Sequence, residues 1–245
     1  MRDVVLRLEG VGQSFRRGRD GWRVFSGVGL SVAEGEFVGV LGGRGEGKTT
    51  LLEIAAGLKA PESGSVWFEG VDVARWPQDD RTELLGDRIV WLPRGDFCEF
   101  KVLDYVSLPL AIDSGRGMAA AEERAVAALR RVGVEDCVGC KWDELSDWQR
   151  LMVTFARGYA ARPRLMVGDD LLDGLGAGGT REAGELLLAF ARELGCGVLV
   201  AASDMMALLA CHRVVSFDGE GGITTMTDTP HNPTSIVDFP DAAEG

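Results

Sequence analysis

The residues Gly42-Gly43-Arg44-Gly45-Glu46-Gly47-Lys48-Thr49-Thr50 have the types and spacing to hold phosphate. They fit the pattern of Gly, any four residues, Gly-Lys, then Ser or Thr. Glycines let successive backbone amides curl around a di- or triphosphate where a Cβ would block the approach. Lys48 has the reach for the β- and γ-phosphates, and the Thr49 hydroxyl is placed to ligate Mg²⁺. Two elements must position this loop. Phe37 to Leu41 reads as a buried strand before it, and Thr49 to Leu58 as a helix after it. A helix N-terminus then faces the anion. A glycine-rich surface loop without a ligand is the competing reading, and the strand and helix on either side argue against it.

Composition narrows the field. With 245 residues and 46% hydrophobic content, the chain can bury the core of one large domain or of a domain with a subdomain. No apolar run approaches the roughly 18 residues that span a bilayer. Met1-Arg2-Asp3-Val4-Val5 reads as the start of a strand rather than a signal peptide, so a cytoplasmic location is expected. The net charge of −12 argues against general nucleic-acid binding. Arg16, Arg17 and Arg19 read as a solvated basic loop. Five cysteines without an export signal suggest reduced thiols. Cys137-Val138-Gly139-Cys140 lacks the second pair or spaced histidine that a zinc site needs.

Along the chain, strands are expected at Val4 to Leu8, Trp22 to Phe25 and Leu30 to Ala33, the last continuing with Phe37 to Leu41 in one sheet. Further strands are expected at Ser65 to Phe68, Arg88 to Leu92, Leu165 to Val167, Gly197 to Ala201 and Val214 to Phe217. Residues 102–160 carry mainly helical signals. Within them, Ala125, Leu129 and Val132 share one face of a helix over Ala119 to Val132. Ala183, Leu186, Leu187, Phe190 and Leu194 mark another helix, and a short one is expected near Asp204 to Ala210. Beyond Met226 the sequence turns Pro-, Asp- and Thr-rich, as in a loosely held tail.

In order and spacing these landmarks resemble the ATP-binding subunit of ABC transporters over about residues 3–226, in the lipoprotein-release, macrolide-export and cell-division branch. Residues 42–50 fall on its Walker A loop. Glu144-Leu145-Ser146-Asp147-Trp148-Gln149-Arg150 falls on its signature motif, and Asp169 on its Walker B aspartate. The resemblance implies an α/β fold: a P-loop NTPase core, mostly parallel sheet with an antiparallel β subdomain, plus a helical insertion subdomain at about residues 95–160. It implies an ATP-binding domain over residues 1–226 and a flexible acidic tail over residues 227–245. It further implies ATP and Mg²⁺ as cofactors, with Thr49 and Asp169 at the metal and Phe15 stacking on adenine. Ser146 and Gln149 would face the nucleotide of a second subunit. Implied partners are a membrane-spanning permease-type subunit and a second ATP-binding subunit, identical or not, at the inner face of the cell membrane.

The departures from that family concern hydrolysis. Asp147 and Trp148 replace the two signature glycines, putting a carboxylate near phosphate oxygens and an indole where bare backbone would approach. Like charges about 5 Å apart at an effective dielectric near 20 repel by about 3 kcal/mol. Glu46 adds a further charge in the loop. Asp170 stands for the catalytic glutamate and is one methylene shorter, and a misplacement of about 1 Å costs around a hundredfold in rate. Ser203 stands for the switch histidine and has no ionisable ring. His212 and His231 do not substitute by position. Arg94 stands for the Q-loop glutamine; it cannot ligate Mg²⁺ but can pair with phosphate as a fixed cation. Gly176 replaces the D-loop aspartate.

ATP binding with weak or absent hydrolysis is the expected reading. The alternatives are a working transport ATPase, or a scaffold or regulator that uses ATP as a structural ligand. A role on DNA or ribosomes ranks last, lacking a coiled coil, a second cassette or a basic surface. Phe97, Phe100, Val102, Leu103 and Tyr105 are candidates to line a groove for a membrane partner.

Overall fold

The computed structural model describes residues 3–17, 20–86, 88–94, 101–114, 117–218 and 222–228. Phe97, Phe100, His231 and the side chain of Phe15 lie outside the described residues.

The chain opens with two long strands, β1 (Val4–Arg17) and β2 (Asp20–Ala33), paired antiparallel. The expected separate strands at Trp22 to Phe25 and Leu30 to Ala33 are thus one element. The pairing slips register between Leu8 and Val11, around Gly10 at φ +61°, and such bulges let one strand continue through a turn-like sequence. At Gly35, φ +66°, the chain crosses to a second layer, so β3 (Phe37–Leu41) does not continue the sheet of β2, contrary to the expectation from sequence. Then follow α1 (Lys48–Ala55), β4 (Ser63–Phe68), β5 (Val71–Asp72), α2 (Gln78–Gly86) and β6 (Ile89–Leu92). The helical region comprises α3 (Val102–Ser114), α4 (Met118–Arg131) and α5 (Asp147–Ala161). The chain returns through β7 (Leu165–Asp169), α6 (Gly176–Leu194), β8 (Gly197–Ala202), a 3₁₀ turn at Met205–Leu208, β9 (Arg213–Phe217) and β10 (Ile223–Asp228). β10 extends two residues beyond Met226, paired antiparallel with β9.

The strands form two sheets. One is antiparallel, ordered β2-β1-β4-β5, and the other runs β10-β9-β3-β8-β7-β6, parallel except at β10. Strands in the parallel sheet are covered on both sides, which is why β3 and β8 carry no polar residue. Their side chains alternate between two cores. Phe37, Val198, Val200 and Val214 join the core beneath α3 to α6. Val38, Val40, Leu199 and Val215 join a second core with α1 and the antiparallel sheet.

Charged side chains tie the layers at their edge. Arg164 donates from Nε to Glu69 Oε1 at 2.6 Å and also pairs with Glu34, while Arg88 pairs with the other oxygen of Glu69. Glu34 sits in the turn leaving β2 and Glu69 in the turn between β4 and β5, while both arginines flank strands of the parallel sheet.

Candidate nucleotide site

Strand order assembles the site. β8 lies between β3 and β7, so the residues leaving all three strands meet at their C-terminal ends, where ligands bind in open α/β sheets. Two hydrogen bonds lock the exits to β8. Gly42 N–H donates to Ala202 O at 3.2 Å, and Asp170 N–H donates to Ala201 O at 3.0 Å.

The loop from Gly42 to Gly47 leads into α1. Gly47 caps that helix at φ +101°, a left-handed conformation favouring glycine. A Cβ there would run into Val24 and Phe25. Lys48 is buried, and its Nζ donates to Gly42 O at 2.8 Å, Gly43 O at 3.2 Å and Ser203 Oγ at 3.0 Å. Asp170 Oδ1 lies 3.5 Å from the same nitrogen. One ammonium therefore gathers the loop and both residues expected at the catalytic carboxylate and switch positions. Arg44, Gly45 and Glu46 are exposed, and Thr50 is buried. Glu46 does not point away from the loop: its Oε2 accepts from Gly43 N–H at 2.7 Å.

Thr49 Oγ1 donates to Asp169 Oδ2 at 2.5 Å. Asp169 Oδ1 is buried without a hydrogen-bond partner, and burial, with Asp170 and Asp173 nearby, raises the pKa of this carboxyl. A hydroxyl and an underused carboxylate form a hard oxygen set that suits Mg²⁺, which is bound by one or two carboxylates together with substrate phosphates. Thr49 and Asp169 are the residues that would hold it. Arg94 Nη1 donates to Asp170 O at 2.8 Å, placing its guanidinium beside the site. Asp170 itself has φ +46°, a costly conformation for a residue with a Cβ and one concentrated at functional sites.

Asp173 is a site residue that the sequence reading passes over. Its Oδ2 accepts from Ser203 N–H at 3.1 Å, and its Oδ1 is buried without a hydrogen-bond partner. The signal was a third acid in Gly168-Asp169-Asp170-Leu171-Leu172-Asp173. Only the turn after β7, closed by Asp173 N–H donating to Asp170 O at 3.3 Å, brings it back to the strand ends.

The signature segment lies elsewhere, at the start of α5. Ser146 Oγ accepts from Gln149 N–H at 3.3 Å, and Gln149 Oε1 accepts from Ser146 N–H at 2.9 Å. This reciprocal cap satisfies backbone donors at the helix start. The Asp147 side chain is 95% exposed, 3.6 Å from Arg150. The Trp148 indole is half-buried and packs against the large core beneath the helices. Its Cζ3 lies 3.5 Å from where a Gly179 Cβ would stand. The indole thus leans on α6.

A glycine loop at a helix start, a buried lysine, a threonine–aspartate pair and a strand-end acid cluster on a β3-β8-β7 sheet define a P-loop nucleotide-binding protein. Comparison with known proteins narrows that class. The family model described as ABC transporter matches residues 25–172. The lipoprotein-releasing system ATP-binding protein LolD of Hyphomonas neptunium is 30% identical over 223 residues, covering 90% of this chain and 97% of that protein. Its counterpart in Anaplasma marginale is 32% identical over 220 residues, covering 88% and 96%. The dimeric ATP-binding cassette MJ0796, solved in a post-hydrolysis state bound to ADP and Pi, superimposes with a TM-score of 0.80 at 25% identity, covering 89% of this chain and 96% of that one. This chain belongs to the ABC transporter family, as an ATP-binding domain.

Proposed function

We propose that the chain is the ATP-binding subunit of an ABC transporter-like membrane complex of the type its lipoprotein-releasing relatives serve, holding Mg-ATP with weak or absent hydrolysis. It would pass nucleotide-driven dimerisation to a permease-type membrane subunit from the cytoplasmic face, paired with a second copy or a related subunit. No described helix is long and apolar enough to cross a membrane, so membrane attachment would come through that partner.

The observation that carries the reading is the company of Lys48. Its ammonium lies 3.5 Å from the Asp170 carboxylate and 3.0 Å from the Ser203 hydroxyl. Binding needs the lysine, the loop amides and the Thr49–Asp169 pair, and all are present. Hydrolysis needs a carboxylate that reaches and orients water, and Asp170 is short, its Oδ1 buried without a hydrogen bond at ion-pair distance from the lysine. Mg²⁺ held by Thr49 and Asp169 would supply charge neutralisation at the phosphates. Lys48 would hold the β- and γ-phosphates, while Arg94 would add a fixed cation beside them.

Paired measurements of ATP affinity and phosphate release test this, with Lys48→Ala as control and Asp170→Glu/Ser203→His as the restoring variant. ATP binding lost in the control, with release at background in the native chain and raised at least tenfold in the restoring variant, supports the reading. Native turnover abolished by Lys48→Ala would instead make the chain a working ATPase in which Asp170 suffices.

A further inference from the structure

We infer that Asp173 is a positioning residue that fixes Ser203 so that its hydroxyl, with Lys48, recognises the terminal phosphate of a nucleoside triphosphate. The inference rests on the nucleotide site proposed above and adds a residue and a role to it.

Ser203 is the first residue past β8, and its backbone N–H donates to Asp173 Oδ2 at 3.1 Å. Its Oγ accepts from Lys48 Nζ at 3.0 Å. A serine hydroxyl that accepts from an ammonium keeps its own hydrogen free to donate. The hydroxyl hydrogen can therefore reach one oxygen of the anion that Lys48 binds in such loops, once the ammonium turns a hydrogen to that anion from the Gly42 or Gly43 carbonyl it holds here. The tether itself is anchored. Asp173 N–H donates to Asp170 O, and Asp170 N–H donates to Ala201 on β8. The Asp173 side chain thus closes a ring from β8 through the turn after β7 to the residue following β8. A negative charge near phosphate gains nothing for binding; what Asp173 supplies is an acceptor. An asparagine amide oxygen supplies the same acceptor without the charge.

The test is affinity for ATP and for ADP, each with Mg²⁺, in the native chain, Asp173→Ala, Asp173→Asn, Ser203→Ala and the Ala/Ala double variant. ATP affinity is expected to fall at least fivefold in Asp173→Ala and Ser203→Ala, with ADP affinity within twofold of native. Asp173→Asn keeps the acceptor and loses the charge, so it should bind both nucleotides at least as tightly as the native chain. The double variant should bind no more weakly than Ser203→Ala, because the two residues act as one unit. Equal losses for ATP and ADP in Asp173→Ala, or an asparagine variant as weak as alanine, would overturn the positioning role. If Asp173→Ala fails to fold, Ser203→Ala and Asp173→Asn still decide the matter. Lys48→Ala separates the failures: ATP affinity unchanged there refutes the nucleotide site itself.

Discussion

Glu46 Oε2 accepts from Gly43 N–H at 2.7 Å, so a carboxylate of the chain takes an amide of the phosphate loop. The contact explains the glycine pair at the loop's start. A Cβ on Gly42 would stand 3.0 Å from that carboxylate, and one on Gly43 would stand 3.2 Å from it.

Glu46→Gln should therefore raise ATP affinity by about three- to tenfold. It keeps an acceptor for Gly43 N–H and removes a negative charge beside the phosphates. The group is exposed, so the gain should shrink as salt shortens the Debye length to about 8 Å at 0.15 M ionic strength and below that at higher salt. Nucleotide titrations at low and high salt measure both effects. An unchanged or weaker affinity at low salt would mean the carboxylate does not oppose the ligand.

Much of this site is legible in one sequence because its elements are local. Gly42 to Thr50 declares its loop through spacing, and β3 declares itself because a strand covered on both faces has no polar alternation. What escapes is set by distant pairing. Gly10 and Gly27 fall outside the expected strands, yet both sit inside long strands as left-handed residues, at φ +61° and +71°. Thr227 and Asp228 read as the start of a tail, yet both pair with β9. Asp173 and Ser203 meet only because β7 and β8 are neighbours, which no periodicity reports. The direction of the Trp148 indole depends likewise on small residues of α6.

Trp148→Gly, which restores the residue type usual at that signature position, should lower stability by about 1–3 kcal/mol. The half-buried indole packs against the core shared with α6, and large-to-small changes forfeit both transfer and packing energy. Denaturant unfolding measures this, with an unchanged m-value expected. A loss below about 0.5 kcal/mol would show that the indole contributes no packing in solution.

Arg164→Ala should cost about 1–2 kcal/mol by leaving Glu34 and Glu69 without their shared guanidinium. Glu34 is about two-thirds buried and Glu69 about four-fifths, so the loss exceeds that of a surface pair yet stays below that of a fully buried one. In a domain of this size that corresponds to a melting shift of roughly 2–8 °C. Raising salt should narrow the gap between variant and native chain only slightly.

Cys196 gives an alkaline prediction. Burial pushes its thiol from an ordinary 9.0 up to about 12, and burial pushes Cys211 further. Above the ordinary value the unfolded chain has released these protons while the folded chain keeps them. Stability is therefore intact below about pH 9 and falls as pH rises toward 12. The slope approaches about 1.4 kcal/mol per pH unit for each thiol. Cys196→Ala should flatten the decline, and unfolding curves at pH 8 and pH 10 would measure it. An unaltered slope would mean the thiol ionises equally well in both states.

Asp170→Asn addresses the contact that opposes the ligand most directly. The carboxylate lies 3.5 Å from Lys48 Nζ, and the ammonium is the cation that an incoming phosphate must recruit. ATP thus has to compete with an internal anion for Lys48. Removing that charge should raise ATP affinity by about five- to twentyfold, more than Glu46→Gln, because Lys48 is buried where solvent screens less. ADP should gain less, since its phosphates carry less charge toward the lysine. Hydrolysis should not rise, because the amide cannot serve as a base. Calorimetric titration with both nucleotides, alongside phosphate release, separates these effects. An affinity loss in Asp170→Asn would show that the carboxylate assists binding, placing it with Asp169 as support for the cation rather than as a competitor for Lys48.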